Sequence, residues 1–280
     1  DWHSNYYWWD YFATPNRNVN YSIKKHPERW QKFKDFTFNQ INEITSNYGS
    51  IDILWLDGGQ VRPPAQDIDM PEIAAMARKN QPGLLIVDRT VHGKYENYQT
   101  PEGEVPHEQL NYPWETCMTI GNGWGYKKNY KLKPIDSVVH LLIEIVAKGG
   151  NLLLGTGPDG KGNFHQEDID AFKTIGKWMQ KNGSAIYATR TTPDYHQGNI
   201  WFNVSKDHKI MNAIYCIDKK KGVPVSVSWN GNVPKRGAKM KLLETGKFVK
   251  WKLNGDEVTV QLTKNISADA IALALQYEYQ

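Results

Sequence analysis

The chain changes texture once, near Tyr187, and that change limits the folds open to it. Before it, helical periods alternate with short continuous apolar runs. Residues 27–48 carry Trp30, Phe33, Phe36, Ile41 and Ile44 near a helical period, with Gly49 behind them as a stop. An apolar strand follows at 50–56, a short helix with proline in its first turn at 71–80, and a second strand at 84–87. A long polar and aromatic stretch fills 92–131. A helix at 134–148 closed by Gly149-Gly150, a third strand at 151–154 and an amphipathic helix at 166–181 complete this part. Helices alternating with continuous apolar strands specify a parallel sheet or barrel. Beyond Tyr187, runs at 200–204, 211–217, 223–229, 239–243, 248–253, 258–262 and 270–277 are short strands separated by turn residues. Their even spacing specifies an antiparallel β-sandwich. The expected division is an α/β domain over 1–188 and a sandwich over 189–280.

A complete eight-fold barrel takes about 250 residues and rarely fewer than about 200. About 187 precede the sandwich, so the expectation is a (β/α)8-like barrel whose N-terminal strands lie upstream of this chain. Composition narrows the function classes. The 34 basic and 30 acidic residues are interspersed, and the one dense run, Lys219-Lys220-Lys221-Gly222, reads as a hairpin turn. A nucleic-acid footprint needs a clustered basic stripe, so that class is set aside. No apolar run approaches the roughly 20 residues of a membrane span. The two cysteines, Cys117 and Cys216, show no metal-ligand spacing and read as buried thiols in different domains. The aromatics stand out: 11 Trp, 15 Tyr and 8 Phe, many in non-periodic segments such as Tyr6-Tyr7-Trp8-Trp9, Trp114 and Trp124-Gly125-Tyr126. Flat rings beside polar groups suit a carbohydrate site.

The segment Ser50-Ile51-Asp52-Ile53-Leu54-Trp55-Leu56-Asp57-Gly58-Gly59 carries the sharpest chemical signal. Alternation puts Ile51, Ile53, Trp55 and Asp57 on one side and Asp52, Leu54 and Leu56 on the other. Asp57 stands where the strand exits, the face at which parallel barrels do chemistry, while Asp52 reads as a solvated strand start. Glycoside hydrolysis needs a second carboxylate. Glu102, held after a proline in Thr100-Pro101-Glu102-Gly103, competes for that role with Glu104, Glu108 and Glu115. Arg89, directly after the second strand, has a planar fork able to grip hydroxyls or to pair with an acid such as Asp88. Trp124 between glycines is a stacking platform or a loop anchor. Gly155-Thr156-Gly157-Pro158-Asp159-Gly160 matches the dinucleotide fingerprint in letters. That site requires a helix to begin within the motif, whereas the helical period starts only near Gln166, so the segment reads as a glycine-rich turn.

The ordered set Asp1-Trp2-His3, Leu54-Trp55-Leu56-Asp57-Gly58, Val87-Asp88-Arg89, Thr100-Pro101-Glu102, Trp114-Glu115-Thr116-Cys117, Trp124-Gly125-Tyr126, Lys148-Gly149-Gly150-Asn151 and Asn182-Gly183-Ser184-Ala185 resembles the retaining α-L-fucosidase family of glycoside hydrolases. The resemblance runs from residue 1 to about 190, and the trailing sandwich is similar to that family's C-terminal domain. It implies an exo-acting hydrolase that releases terminal α-L-fucose from fucosylated oligosaccharides or glycoconjugates by double displacement. It assigns Asp57 as nucleophile and Glu102 as acid/base, with Trp55, Arg89, Trp124 and Glu115 around the sugar. Two carboxylates in that mechanism lie ~5–5.5 Å apart. It implies no metal and no organic cofactor, and, from its glycan substrates, a secreted or periplasmic location. The family's paired histidines and a strand-end tyrosine precede the Asp-Trp-His segment, and its Asn-Ile-Gly-Pro stands here as Gly155-Thr156-Gly157-Pro158. The alternative of another class is a non-catalytic carbohydrate-binding protein or an inactive fragment of such an enzyme.

Overall fold

The computed structural model of the protein describes residues 19–57, 61, 63–89 and 91–279, with the side chain of Asp88 outside that set. The segments Asp1-Trp2-His3 and Tyr6-Tyr7-Trp8-Trp9, and the pair Gly58-Gly59, lie outside the described residues. The chain forms two compact units, Asp1–Thr100 and Pro101–Gln280.

In the first unit, helix α1 (Pro27–Asn47) leads to strand β1 (Ile53–Leu56), helix α2 (Met70–Asn80) and strand β2 (Leu85–Asp88). Strands β1 and β2 pair in parallel, with Ile53 opposite Leu85 and Leu56 opposite Asp88. A parallel pair needs a crossover, and α2 supplies it. Leu54 and Leu56 point into a core with Phe33, Ile41, Ile73, Ala77 and Ile86. The buried stripe of α1 is Trp30, Phe33, Thr37, Ile41 and Thr45, a 3-4-4-4 spacing, while Phe36 and Ile44 sit partly exposed on its flank. The two threonines replace them in the core because each hydroxyl donates to the carbonyl four residues back, Phe33 O at 3.0 Å and Ile41 O at 2.8 Å. Gln81 fastens the end of α1 to the start of β1: its amide donates to Thr45 O and Gly49 O and its oxygen accepts from Ile51 N. Asp52 is exposed at the strand start, as expected.

In the second unit, strand β3 (Trp114–Thr119) pairs in parallel with β4 (Gly150–Gly155), and helix α3 (Ile135–Ala147) joins them. Strand β3 lies inside the stretch read from sequence as polar and aromatic. Trp-Glu-Thr-Cys-Met-Thr neither alternates nor runs apolar, so no period marks it, yet four of its six residues are buried. Helix α4 (Gln166–Asn182) and a 3-10 turn (Gly183–Ala185) lead into an antiparallel sheet of nine strands. These are β5 (Thr189–Arg190), β6 (His196–Gln197), β7 (Ile200–Ser205), β8 (Ile210–Cys216), β9 (Ser226–Asn230), β10 (Met240–Leu242), β11 (Lys247–Asn254), β12 (Glu257–Gln261) and β13 (Ala272–Glu278). The spatial order is β5-β7-β8-β13-β10-β11-β12-β9, with β6 beside β7.

The sheet folds over on itself into a sandwich. Trp229 of β9 packs edge-on to Phe202 of β7 and stacked on Tyr277 of β13, contacts that non-adjacent strands make only across two layers. The other face of β8 and β13 offers Ile214, Cys216, Ala272 and Ala274 to α3 and α4, where Trp178 donates its indole N–H to Ala272 O. The lysine run at Lys219 is a turn, but not a hairpin: β8 and β9 do not pair, so the chain crosses there from one layer to the other. Both cysteines are buried free thiols. No helix among the described residues is long and apolar enough to cross a membrane.

Candidate active site

In each unit, residues singled out from the sequence lie toward the carboxyl end of a parallel strand pair. In the first, Leu56 stands opposite Asp88, so the residues that follow, Asp57 and Arg89, emerge side by side. The Arg89 backbone N–H donates to Leu56 O at 3.4 Å, which continues the ladder one step past the strands. The Arg89 guanidinium lies 5.0 Å from the centre of the Trp55 ring, and its Nη1 reaches Asp57 Oδ1 at 3.4 Å. Trp55 and Asp57 share the side of β1 that faces away from the helices, as alternation requires. Burial divides the pair: the Arg89 side chain is 16% exposed and that of Asp57 65%. A cation covered by an indole thus holds a carboxylate that remains open to solvent and to a ligand. The distance is that of an ion pair rather than a short hydrogen bond.

In the second unit, Glu102 bridges Cys117 in parallel and the Gly103 N–H donates to Cys117 O at 3.0 Å, so this segment runs beside the last half of β3. Glu102, Met118, Thr119, Trp124 and Lys133 line a cavity of about 400 Å³. The structure therefore brings Glu102 and Trp124 to one cavity. Glu115 is opposite Asn151 near the beginning of β3, at the other end of the strand from Thr119, and does not line that cavity. Trp124 is 52% exposed and rests on Gly155, where a Cβ would sit 3.6 Å from the indole. Lys133 was not visible in the sequence as a site residue. Its ammonium donates to Thr119 O at 2.6 Å, closing the loop between β3 and α3 onto the strand end.

That loop is clamped from below. A Cβ on Gly157 would fall 2.4 Å from the Gly125 carbonyl carbon and 2.6 Å from Tyr126 N, so only glycine lets the Trp124 loop approach the turn after β4. Tyr126 and Tyr130 each stack on His165, at 4.7 and 4.5 Å between ring centres. The buried carboxylate of Asp168, in the first turn of α4, accepts from Tyr130 Oη and from Thr156 Oγ1, the latter at 2.5 Å. The position suits an acid, because a helix N-terminus favours negative charge. Sequence reasoning missed this clamp, since it joins Tyr130, Thr156 and Asp168 through contacts between segments far apart in the chain. The glycine-rich motif itself ends in a turn that Asp159 organises by accepting from Lys161 N and Asn163 N. Those bonds hold its carboxyl below the usual range. Helix α4 begins only at Gln166, too late for a dinucleotide site. Among the described residues no group of three or more His, Cys, Asp or Glu side chains is placed to hold a metal.

A sequence profile of the family described as Alpha-L-fucosidase matches residues 1–184. The tissue alpha-L-fucosidase of Mus musculus is 30% identical over 222 residues, covering 68% of this chain and 48% of that protein. The plasma alpha-L-fucosidase of Homo sapiens is 29% identical over 200 residues, covering 64% of this chain and 41% of its own length. The chain thus spans less than half the length of these curated relatives. Among solved structures, alpha-L-fucosidase isoenzyme 1 from Paenibacillus thiaminolyticus has the same fold with a TM-score of 0.81 at 24% identity, covering 100% of this chain and 70% of that one. The Thermotoga maritima alpha-fucosidase in complex with fucose gives 0.71 at 24% identity, over 88% of this chain and 56% of that one.

Proposed function

The chain belongs to the alpha-L-fucosidase family, and from that premise we propose that it is the part of a retaining exo-glycosidase that carries both catalytic carboxylates. Asp57, ionised, attacks the anomeric carbon of a terminal α-L-fucose while Glu102, protonated, gives its proton to the departing glycosidic oxygen. Glu102 then takes a proton from water, which hydrolyses the fucosyl ester on Asp57 and returns both groups to their starting state. Two inversions leave the anomeric configuration retained. Arg89, seated on Trp55, orients Asp57 and is placed to meet sugar hydroxyls. Trp124 offers a flat apolar wall suited to the C5 methyl of fucose. Glu115, opposite Asn151 in β3, is the further residue that the family resemblance assigns to sugar binding.

The observation that carries this reading is the Arg89–Asp57 pair at the exits of adjacent parallel strands, over the Trp55 ring. That is the end at which parallel α/β barrels place chemistry. The same reading treats residues 1–188 as part of a (β/α)8-like barrel and 189–280 as the accompanying sandwich. The substrate is a fucosylated oligosaccharide or glycoconjugate. Relatives named as plasma enzymes support a secreted protein, and a glycan substrate is equally compatible with a periplasmic one. The test is Asp57→Ala in the full-length protein, assayed on an aryl α-L-fucoside. Release should fall by about three orders of magnitude or more with the fold intact. Undiminished release would remove Asp57 from its role. Fucose binding by calorimetry with no release from the unaltered protein would select a non-catalytic binder.

A further inference from the structure

The sandwich carries a second cavity, of about 560 Å³, wholly within the second unit. A row of five side chains crosses the outer face of its sheet to reach it. Register places Asn203 opposite Asn212, Asn212 opposite Gln276, Gln276 opposite Lys241 and Lys241 opposite Phe248. Residues directly opposite share a face, so these five form one line over β7, β8, β13, β10 and β11. The line is buried at one end and open at the other. Asn203 and Asn212 are fully buried, Gln276 is half-buried, and Lys241 and Phe248 are exposed.

The amides in this line are linked head to tail. Asn203 Nδ2 donates to Ala185 O at 2.9 Å, Asn212 Nδ2 to Asn203 Oδ1 at 2.7 Å, and Gln276 Nε2 to Asn212 Oδ1 at 2.8 Å. A backbone carbonyl can only accept, so Ala185 O fixes the direction of every bond after it. The chain therefore ends in Gln276 Oε1, an acceptor at the cavity wall that meets no donor among the described residues. Each bond behind it polarises the next and strengthens this acceptor.

Around that oxygen the cavity is cationic. Lys235, Arg236, Lys239 and Lys241 line it against one carboxylate, Glu278, and among the described residues none of the four is in an ion pair. Phe248 adds an apolar wall, 62% exposed, with the Lys239 ammonium 5.5 Å from its ring centre. A bare inorganic anion would suit the cations but not the carbonyl oxygen between them, which repels it. A neutral sugar would suit the oxygen and the ring but leave four cations unused. One ligand chemistry satisfies all three: hydroxyl donors, negative charge and a partly apolar body. We propose that this cavity is a binding site for an acidic saccharide, a sugar bearing carboxylate or sulfate. It is separate from the hydrolytic reading, since it needs neither Asp57 nor Glu102. Its volume falls in the range of small-ligand clefts, roughly 300–1,000 Å³.

Calorimetric titration of the full chain with digalacturonate tests the proposal, with lactose and inorganic sulfate as comparators. Digalacturonate should bind at least tenfold more tightly than either, and added salt should weaken it. Lys241→Gln, at an exposed position, should weaken binding about fivefold, the scale of one solvent-facing ion pair. Gln276→Met removes the acceptor and should weaken binding similarly. If its melting curve shows misfolding, Lys241→Gln alone decides. Sulfate binding as tightly as digalacturonate would reduce the site to a plain cationic patch. Lactose binding as tightly, no change in Lys241→Gln, or no digalacturonate binding at millimolar concentration would each overturn the proposal.

Discussion

Among the described residues Asp57 pairs with Arg89, which in turn lies over Trp55, and this ordering makes Arg89 the most informative position to change. The planar guanidinium lies on the Trp55 ring, an arrangement worth about 0.5–2 kcal/mol, and directs one nitrogen at Asp57. Lysine keeps the charge but loses both the stacking plane and the fork. Arg89→Lys should therefore lower kcat/KM on an aryl fucoside about tenfold or more, and an unaltered value would show that the pair has no role in turnover. Glu102→Ala should cost about 10²–10⁴ in rate on a substrate with a poor leaving group and far less on an activated one, with rescue by azide. If Glu115→Ala behaves that way instead, the acid/base role moves to Glu115. Asp57 and Arg89 could be picked out from sequence because each directly follows an apolar strand. Their contact could not, since it depends on the register that sets Leu56 opposite Asp88. The position of Glu115 at the wrong end of β3 for the Glu102 cavity was likewise hidden, because β3 itself has no periodic signature.

At the scale of elements, the loop bearing Trp124 owes its position to a glycine in the turn after a different strand. Gly157→Ala would press a methyl group onto the backbone of Gly125 and Tyr126, which has no side-chain end to swing aside. The loop must then lift from β4. We expect a loss of about 1–3 kcal/mol in stability and a raised KM with kcat less affected. Denaturant unfolding and steady-state kinetics would check the two parts, and an unshifted KM would separate Trp124 from sugar binding. The helices and most sandwich strands were readable within a residue or three, because their periods are long and their turns carry glycine and asparagine. The two-residue strands β5 and β6 are too short to have a period at all. The turn at Lys219 misled for another reason: a tight turn reports local geometry and not whether the strands on either side pair.

For the molecule as a whole, several protonated groups tie stability to pH on the alkaline side. Burial lifts the Cys216 thiol from 9.0 to about 12, with the nearby charge of Glu144 adding to it. Burial raises the Tyr277 phenol well above its usual 10.0, and burial together with the bond to Asp168 raises Tyr130. Each holds its proton in the folded state after the unfolded chain has released it. Their contribution is therefore complete below about pH 8.5 and declines as pH rises through the ordinary thiol and phenol range. The slope for each fully buried group is about 1.4 kcal/mol per pH unit. The melting temperature should fall steeply above about pH 9, and Tyr277→Phe should flatten that fall; a flat profile to pH 11 would contradict it. The order of the sandwich strands has a further consequence, for synthesis. Strand β13 is made after the other eight yet sits between β8 and β10. Until residues 272–278 leave the ribosome, those two strands keep open edges that invite pairing with other chains. The sandwich cannot close strand by strand as it emerges, so the nascent chain must stay soluble with its central seam unfilled.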